Sequence, residues 1–252
     1  MILRRQSKVG RAVLSPPLRW SQQQRSEDTA LYLRFSRSML KDITLFFSQF
    51  RENFTTTGAI VPSSPLLGRA ITHPLSQRSS RPIQVLEVGP GTGAFTLQIV
   101  KHLRAGDRLE IYELNTRFCE HLRQNLPWED FQSRGIHCRL HNADVRDIGR
   151  EFQFDYVVCG LPFNNFEPEL VSKILAVLID RLATNGVLSY FEYNLSHEFK
   201  SKFLKSKDRQ RIIRVGKIVC AFIEQHQFGY RQVWLNLPPA RARYCRKHAK
   251  TS

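Results

Sequence analysis

No run of the roughly 18 apolar residues that a membrane-crossing helix needs occurs in this 252-residue chain. Cysteine is sparse and unpatterned: Cys119, Cys138, Cys159, Cys220 and Cys245 are odd in number and form no Cys-x-x-Cys step. That spacing excludes a disulfide framework and the common zinc sites, so no metal is expected and the thiols are expected to stay reduced, as in the cytoplasm. The N-terminus is basic through Arg4, Arg5, Lys8 and Arg11 but lacks the apolar stretch of a secretory signal. Acidic residues are scarce at both ends. Residues 1–51 carry net +7 and residues 200–252 net +12, whereas the block between carries −3, for a total of +16. The basic ends predict contact with a polyanionic surface, either nucleic acid or anionic membrane, while the near-neutral centre does something else.

Residues 1–28 hold Pro16-Pro17, a Gln22–Gln24 run and many Ser and Arg without apolar periodicity, and are expected to form a flexible basic tail. Over 29–54, Leu33, Leu40, Ile43, Phe47, Phe50 and Phe54 recur at helical spacings beside a strip of Arg34, Arg37 and Lys41. This predicts an amphipathic helix, which either packs on the core or lies in a membrane interface. Gly58, Pro62 and Pro65 break the pattern, and Pro65 opens a short helix over 65–72. The segment 29–79 is expected to serve as an amphipathic helix and substrate lid, ahead of a catalytic domain over 80–252.

From residue 82 onward strands and helices alternate. Strands are expected at 83–88, 108–114, 136–141, 154–159 and 186–193, with helices at 94–103, 117–124 and 168–183 between them. A final hairpin is read over 228–235 and 241–246, and 209–226 fits either a helix or a strand at 218–223. This order implies an α/β fold with a doubly wound, mainly parallel sheet.

The chemistry concentrates at three strand ends. The first strand runs into Glu87-Val88-Gly89-Pro90-Gly91-Thr92-Gly93, a glycine loop that opens a helix and lets a ligand approach the backbone. Glu113 closes the second strand, 20 residues after Gly93, where an acid can accept both hydroxyls of a ribose. Asp144 follows the third strand in Asn142-Ala143-Asp144-Val145. The register Gly89-x-Gly91-x-x-Ala94 also permits a dinucleotide.

Together these motifs resemble a Rossmann-like Class I S-adenosylmethionine-dependent methyltransferase over roughly 80–200. The resemblance implies S-adenosylmethionine as cofactor and S-adenosylhomocysteine as product. It also implies that Glu87 serves the methionine amino group, that Gly89, Gly91 and Gly93 pack the loop against it, that Glu113 holds the ribose and that Asp144 holds the adenine.

After the fourth strand stands Cys159-Gly160-Leu161-Pro162-Phe163. Amino-group methyltransferases commonly carry an Asn or Asp, then Leu-Pro or Pro-Pro, then an aromatic residue at this place. There the backbone carbonyls aim the amine and the ring backs it. Here Gly160 replaces the Asn, which argues against a planar nucleobase amine. Thr57–Ser64 and Asn236–Ala240 further resemble the soluble type of bacterial phospholipid N-methyltransferase, a relative of the rRNA adenine dimethyltransferases. The implied reaction is methylation of a lipid headgroup amine, phosphatidylethanolamine toward phosphatidylcholine or alternatively an ornithine lipid, with an rRNA adenine as the rival substrate. A non-catalytic membrane-binding protein of the same fold is a third reading.

In the lipid reading Gly160, Leu161, Pro162, Phe163 and Tyr193 form the catalytic site. Phe163 and Tyr193 cage the increasingly cationic nitrogen, with Tyr190 a lesser choice. Glu192, Tyr193 and His197 are candidate proton acceptors. Arg34, Arg37, Lys41, Phe47 and Phe50 meet the lipid and an anionic membrane. The expected state is a monomer, peripheral on the inner face of the cytoplasmic membrane, with no nucleic-acid partner.

Overall fold

The computed structural model describes residues 64–193, 206–236 and 238–247. The amphipathic helix expected at 29–54, with Arg34, Arg37, Lys41, Phe47 and Phe50, lies outside the described residues, as does His197.

The described elements are α1 (Pro65–Ile71), α2 (His73–Ser76), β1 (Gln84–Val88), α3 (Ala94–Val100), β2 (Arg108–Glu113), α4 (Thr116–Asn125), α5 (Trp128–Ser133), β3 (His137–Asn142), β4 (Phe154–Cys159), α6 (Pro168–Asp180), β5 (Leu182–Tyr193), α7 (Ser206–His226), β6 (Gln227–Val233) and β7 (Ala240–Cys245). The strands form one sheet in the order β3-β2-β1-β4-β5-β7-β6. The first five run parallel, and β7 inserts antiparallel between β5 and β6. This is the doubly wound, Rossmann-like sheet expected from the sequence, with its C-terminal antiparallel hairpin. The chain reverses strand order between β1 and β4, and ligands of such sheets bind beyond the carboxyl ends at that point.

The sheet is covered on both faces because its strands alternate what they show. In β1, Val85 joins a cluster with Leu67 and Ile71 of α1 and Phe95 and Ile99 of α3. Its neighbours Leu86 and Val88 join the opposite cluster, with Ile174 and Leu178 of α6 and Val215 and Val219 of α7. Each such fully buried aliphatic side chain contributes about 1.5–3 kcal/mol.

Helix α1 starts where its sequence dictates. Ser64 caps it by accepting from Leu67 N–H at 3.2 Å, and Pro65 occupies the first turn. The tertiary structure then uses Ser64 a second time: its hydroxyl donates to Asn236 Oδ1 at 2.5 Å, and Tyr244 of β7 donates to Ala70 O at 2.6 Å. These bonds tie α1 to the C-terminal hairpin.

Among the boundaries that differ from the sequence expectation, two reshape β5, and the structure decides one stretch left open. The helix expected at 168–183 ends at Asp180, because Arg181 passes its carbonyl to Phe154 N–H and starts β5 at Leu182. Strand β5 is therefore longer than 186–193; it carries an irregular register opposite Phe154–Tyr156 and a left-handed Asn185 at φ 65°. The ambiguous 209–226 stretch is helical: Val215 and Val219, one turn apart, are buried against α6, and Arg214 pairs with Glu169 there.

Candidate active site

Strand β1 delivers Glu87 to the carboxyl end of the sheet with no exposed surface. Neither carboxylate oxygen has a hydrogen-bond partner among the described residues, nor does Thr96 Oγ1 beside it. Thr96 is near enough to favour the ionised form, but burial dominates and pushes the Glu87 carboxyl up to about 8. A buried acid with unpartnered oxygens at the base of a glycine loop is suited to a cationic amine.

The loop that follows needs its glycines. Gly89, Gly91 and Gly93 have φ of 65°, 58° and 87°, the left-handed region. A Cβ at Gly93 would also press on Leu122 of α4 at 3.0 Å. Glu113, at the end of β2, accepts from Gly91 N–H at 3.3 Å and Asn115 N–H at 2.9 Å. Burial raises its pKa, and these backbone donors pull the other way. Each oxygen accepts one of these bonds and retains a further lone pair for a ligand. Asp144 stands beyond β3 and is held by Arg146, whose Nε and Nη2 donate to it at 3.0 and 2.6 Å. This pair lowers the Asp144 pKa and occupies the carboxylate expected to meet an adenine.

The two glycine-containing loops at the ends of β1 and β4 interlock. Gly160 N–H donates to Val88 O at 2.8 Å. A Cβ on Gly160 would lie 2.4 Å from Gly89 O and 3.5 Å from the Phe95 ring. Conversely, a Cβ on Gly89 would lie 2.4 Å from Leu161 Cδ2. Gly160 is therefore glycine because the cofactor-side loop fills the space a side chain would take. Sequence spacing carried no signal of this contact.

Aromatic rings flank the interlocked loops in two sets. Phe163 is buried against Tyr190 at 5.6 Å between centroids, and Tyr190 meets Phe222 of α7 at 6.4 Å. Tyr193 instead packs edge-on to Phe191 at 5.2 Å, and Phe191 to Phe95 at 5.8 Å. The pairing expected between Phe163 and Tyr193 is thus a pairing between Phe163 and Tyr190. Strand period explains it: residues 190 and 193 are an odd number apart and face opposite sides of β5. Phe95, Phe191 and Phe222 were not singled out from the sequence, since each reads locally as ordinary core.

The proton-acceptor candidates fare differently. Glu192 Oε2 accepts from Arg243 Nε at 2.6 Å. Burial pushes the Tyr193 hydroxyl up to about 12. Tyr190, whose hydroxyl has no partner among the described residues, is raised further for the same reason. Neither tyrosine accepts a proton near neutral pH. Just beyond Phe163, Arg211 of α7 donates to Asn164 O at 3.3 Å and brings a guanidinium to the rim. A separate groove of about 400 Å³, lined by His73, Tyr156, Arg231 and Arg246, lies at the amino ends of the strands, away from these groups.

Residues 85–186 match the family model described as a methyltransferase domain. The chain is 29% identical over 213 residues to an ornithine lipid N-methyltransferase of Singulisphaera acidiphila, covering 82% of this chain and 97% of that protein. Among solved structures it resembles the N-methyltransferase NodS of Bradyrhizobium japonicum WM9, crystallised with S-adenosyl-L-homocysteine. That likeness has a TM-score of 0.51 at 18% identity, over 73% of this chain and 84% of that one. A protein of Pyrococcus horikoshii OT3 gives a TM-score of 0.52 at 12% identity, over 70% and 88%. At these identities the solved structures speak for the fold. Glycine loop, strand-end acids, sheet order and family match converge: the chain carries a Class I S-adenosylmethionine-dependent methyltransferase domain.

Proposed function

We propose that this protein transfers methyl groups from S-adenosylmethionine to the amine of a membrane lipid headgroup, releasing S-adenosylhomocysteine, with an ornithine-type lipid as the leading substrate. The observation that carries the reading is Gly160. With Gly89 O 2.4 Å from where its Cβ would be, the position has no room for the amide side chain that a nucleobase-amine enzyme uses there. The likeness to the ornithine lipid N-methyltransferase supports the same substrate class. Phosphatidylethanolamine is the second reading. It is favoured by the Ser64–Asn236 hydrogen bond, which joins the two segments resembling phospholipid N-methyltransferases.

Glu87 and the Gly89–Gly93 loop hold the cofactor's amino-acid end, Glu113 its ribose, and Asp144, with Arg146, borders its adenine. When bound, the cofactor supplies an electrophilic methyl on a sulfonium. The Gly160–Pro162 backbone accepts the amine's N–H bonds and aims its lone pair; Pro162 offers no competing N–H. A primary alkylamine has a pKa of about 10.4, so having it neutral at pH 7 costs about 4–5 kcal/mol. The apolar surround of Phe163, Tyr190 and Phe222 reduces that cost by disfavouring the ammonium. Glu192 is engaged by Arg243 and the tyrosines stay protonated, which leaves water and His197, outside the described residues, as the acceptors of the proton. Phe163 gains value in later turnovers, as its face attracts a permanently cationic nitrogen. Arg211 takes the headgroup's anionic group, a carboxylate in an ornithine lipid or a phosphate in a phospholipid.

A lipid cannot leave the bilayer cheaply, since each CH₂ exposed to water costs about 0.8 kcal/mol. The enzyme therefore works at a membrane surface, and we propose that it does so as a monomer on the inner face of the cytoplasmic membrane. The 29–54 segment contributes Arg34, Arg37 and Lys41 to the anionic surface and Phe47 and Phe50 to the acyl boundary. Incubation with labelled methyl donor and vesicles of ornithine lipid, vesicles of phosphatidylethanolamine, or rRNA tests the proposal. Label in a lipid amine supports it; label confined to RNA overturns it.

A further inference from the structure

The β6–β7 turn presents two large apolar side chains to solvent: Trp234 is 63% and Leu235 is 85% exposed. Other exposed rings on this hairpin are covered by guanidinium groups, Tyr230 by Arg241 at 4.8 Å and Phe228 by Arg246 at 4.0 Å. Trp234 has no such cover and no hydrogen bond to its indole N–H among the described residues. The turn is nonetheless firmly built. Asn236 is buried, accepts from Ser64, and donates through Nδ2 to Pro238 O at 2.7 Å. An exposed tryptophan and leucine on a braced turn are set to meet something.

Their place in the fold says what. Ala240 pairs with both Val233 and Tyr193, so the turn stands at the carboxyl end of the parallel strands, the end that carries the active site. Tyr193 lies three residues past Tyr190, the partner of Cys159. The turn thus projects roughly 10 Å beyond the level of Cys159, where the amine-aiming loop begins, and roughly 10–14 Å to its side, two to three strands along. Arginines gather at the same end. Arg211 near the start of α7 donates to Asn164 O, Arg209 two residues earlier is exposed, and Arg241 lies in β7 next to the turn, while Arg214 is neutralised by Glu169.

We infer that Trp234 and Leu235 form a membrane-contacting wedge that seats the active-site end of the sheet on an anionic bilayer. The choice of a lipid surface rests on the proposed lipid substrate. Trp settles at the headgroup level and Leu below it, with the arginines facing anionic lipid. The site, set back from the wedge, then meets a headgroup while its acyl chains stay in the bilayer.

The test uses the full chain with Trp20 and Trp128 changed to Phe, which leaves Trp234 as the one tryptophan, excited selectively at the red edge of its absorption. Vesicles of phosphatidylcholine with phosphatidylglycerol should shift its emission to the blue, and brominated acyl chains should quench it. The double variant Trp234→Ser/Leu235→Ser should bind these vesicles about tenfold less tightly. It should methylate vesicle lipid correspondingly less, yet keep wild-type cofactor affinity and activity on a short-chain amine lipid below its micelle concentration. Unshifted emission, or equal vesicle binding by variant and wild type, would overturn the inference. So would a wild-type dimer that the double variant abolishes without a change in vesicle binding, since a second copy would then cover the turn. If the wild type methylates no lipid amine in either form but Trp234 still inserts, the surface stands and the substrate reading falls.

Discussion

Glu87→Gln separates the ionisation of the buried acid from its shape. In the folded, cofactor-free protein, burial holds this carboxyl at about 8, against 4.5 for an ordinary glutamate. At about 1.4 kcal/mol per pKa unit, that rise corresponds to about 5 kcal/mol. The sign follows from linkage. The native state holds the proton more tightly than the unfolded chain, so the contribution is fully present below pH 4.5 and is lost as pH rises to about 8. Glutamine mimics the protonated acid and carries no such dependence. Urea unfolding without cofactor should therefore find variant and wild type nearly equal at the acid end. The variant should gain steadily toward the alkaline end, by up to about 5 kcal/mol where interior relaxation is small. Cofactor binding offers a second reading of the same group. A cationic amine beside Glu87 favours the carboxylate, so wild type should release up to one proton on binding near neutral pH, and the variant none. Calorimetry in buffers of different ionisation enthalpy measures that release. Parallel pH–stability curves, or equal proton release, would refute the assignment of a protonated, amine-facing Glu87.

Glu113→Ala removes the acceptor for Gly91 and Asn115 N–H as well as the ribose contact, and should weaken cofactor binding by about 1.5–3 kcal/mol, measured by calorimetry. Gly160→Asn places a Cβ against Gly89 O and should abolish cofactor binding and methyl transfer together; an unaltered affinity would break the interlock argument. Ser64→Ala loses both the α1 cap and the bond to Asn236, and should lower stability by about 0.5–2 kcal/mol in chemical denaturation while leaving cofactor affinity intact.

What the sequence determined by itself was everything set by local spacing. The alternation of strands and helices, the glycine loop after β1, the acids at the ends of β2 and β3, the Pro65 helix start and the C-terminal hairpin are each encoded in short stretches of contiguous sequence. Backbone geometry and hydrophobic period act at that range. What lay beyond it was decided by approach through space. Whether 209–226 became helix or strand depended on α6 offering Val215 and Val219 a surface. Ser64 and Asn236, 172 residues apart, meet because β7 inserts beside β5 and brings the hairpin turn next to the start of α1. That Tyr190 and Tyr193 face opposite sides follows from the period of the strand expected at 186–193, but which of the two sides Phe163 joins was decided when the end of β4 packed against β5. The glycine at 160, legible in the sequence only as a departure from a motif, acquired its reason when the end of β4 came to lie against Gly89 O, since close packing admits one backbone or one side chain there and not both.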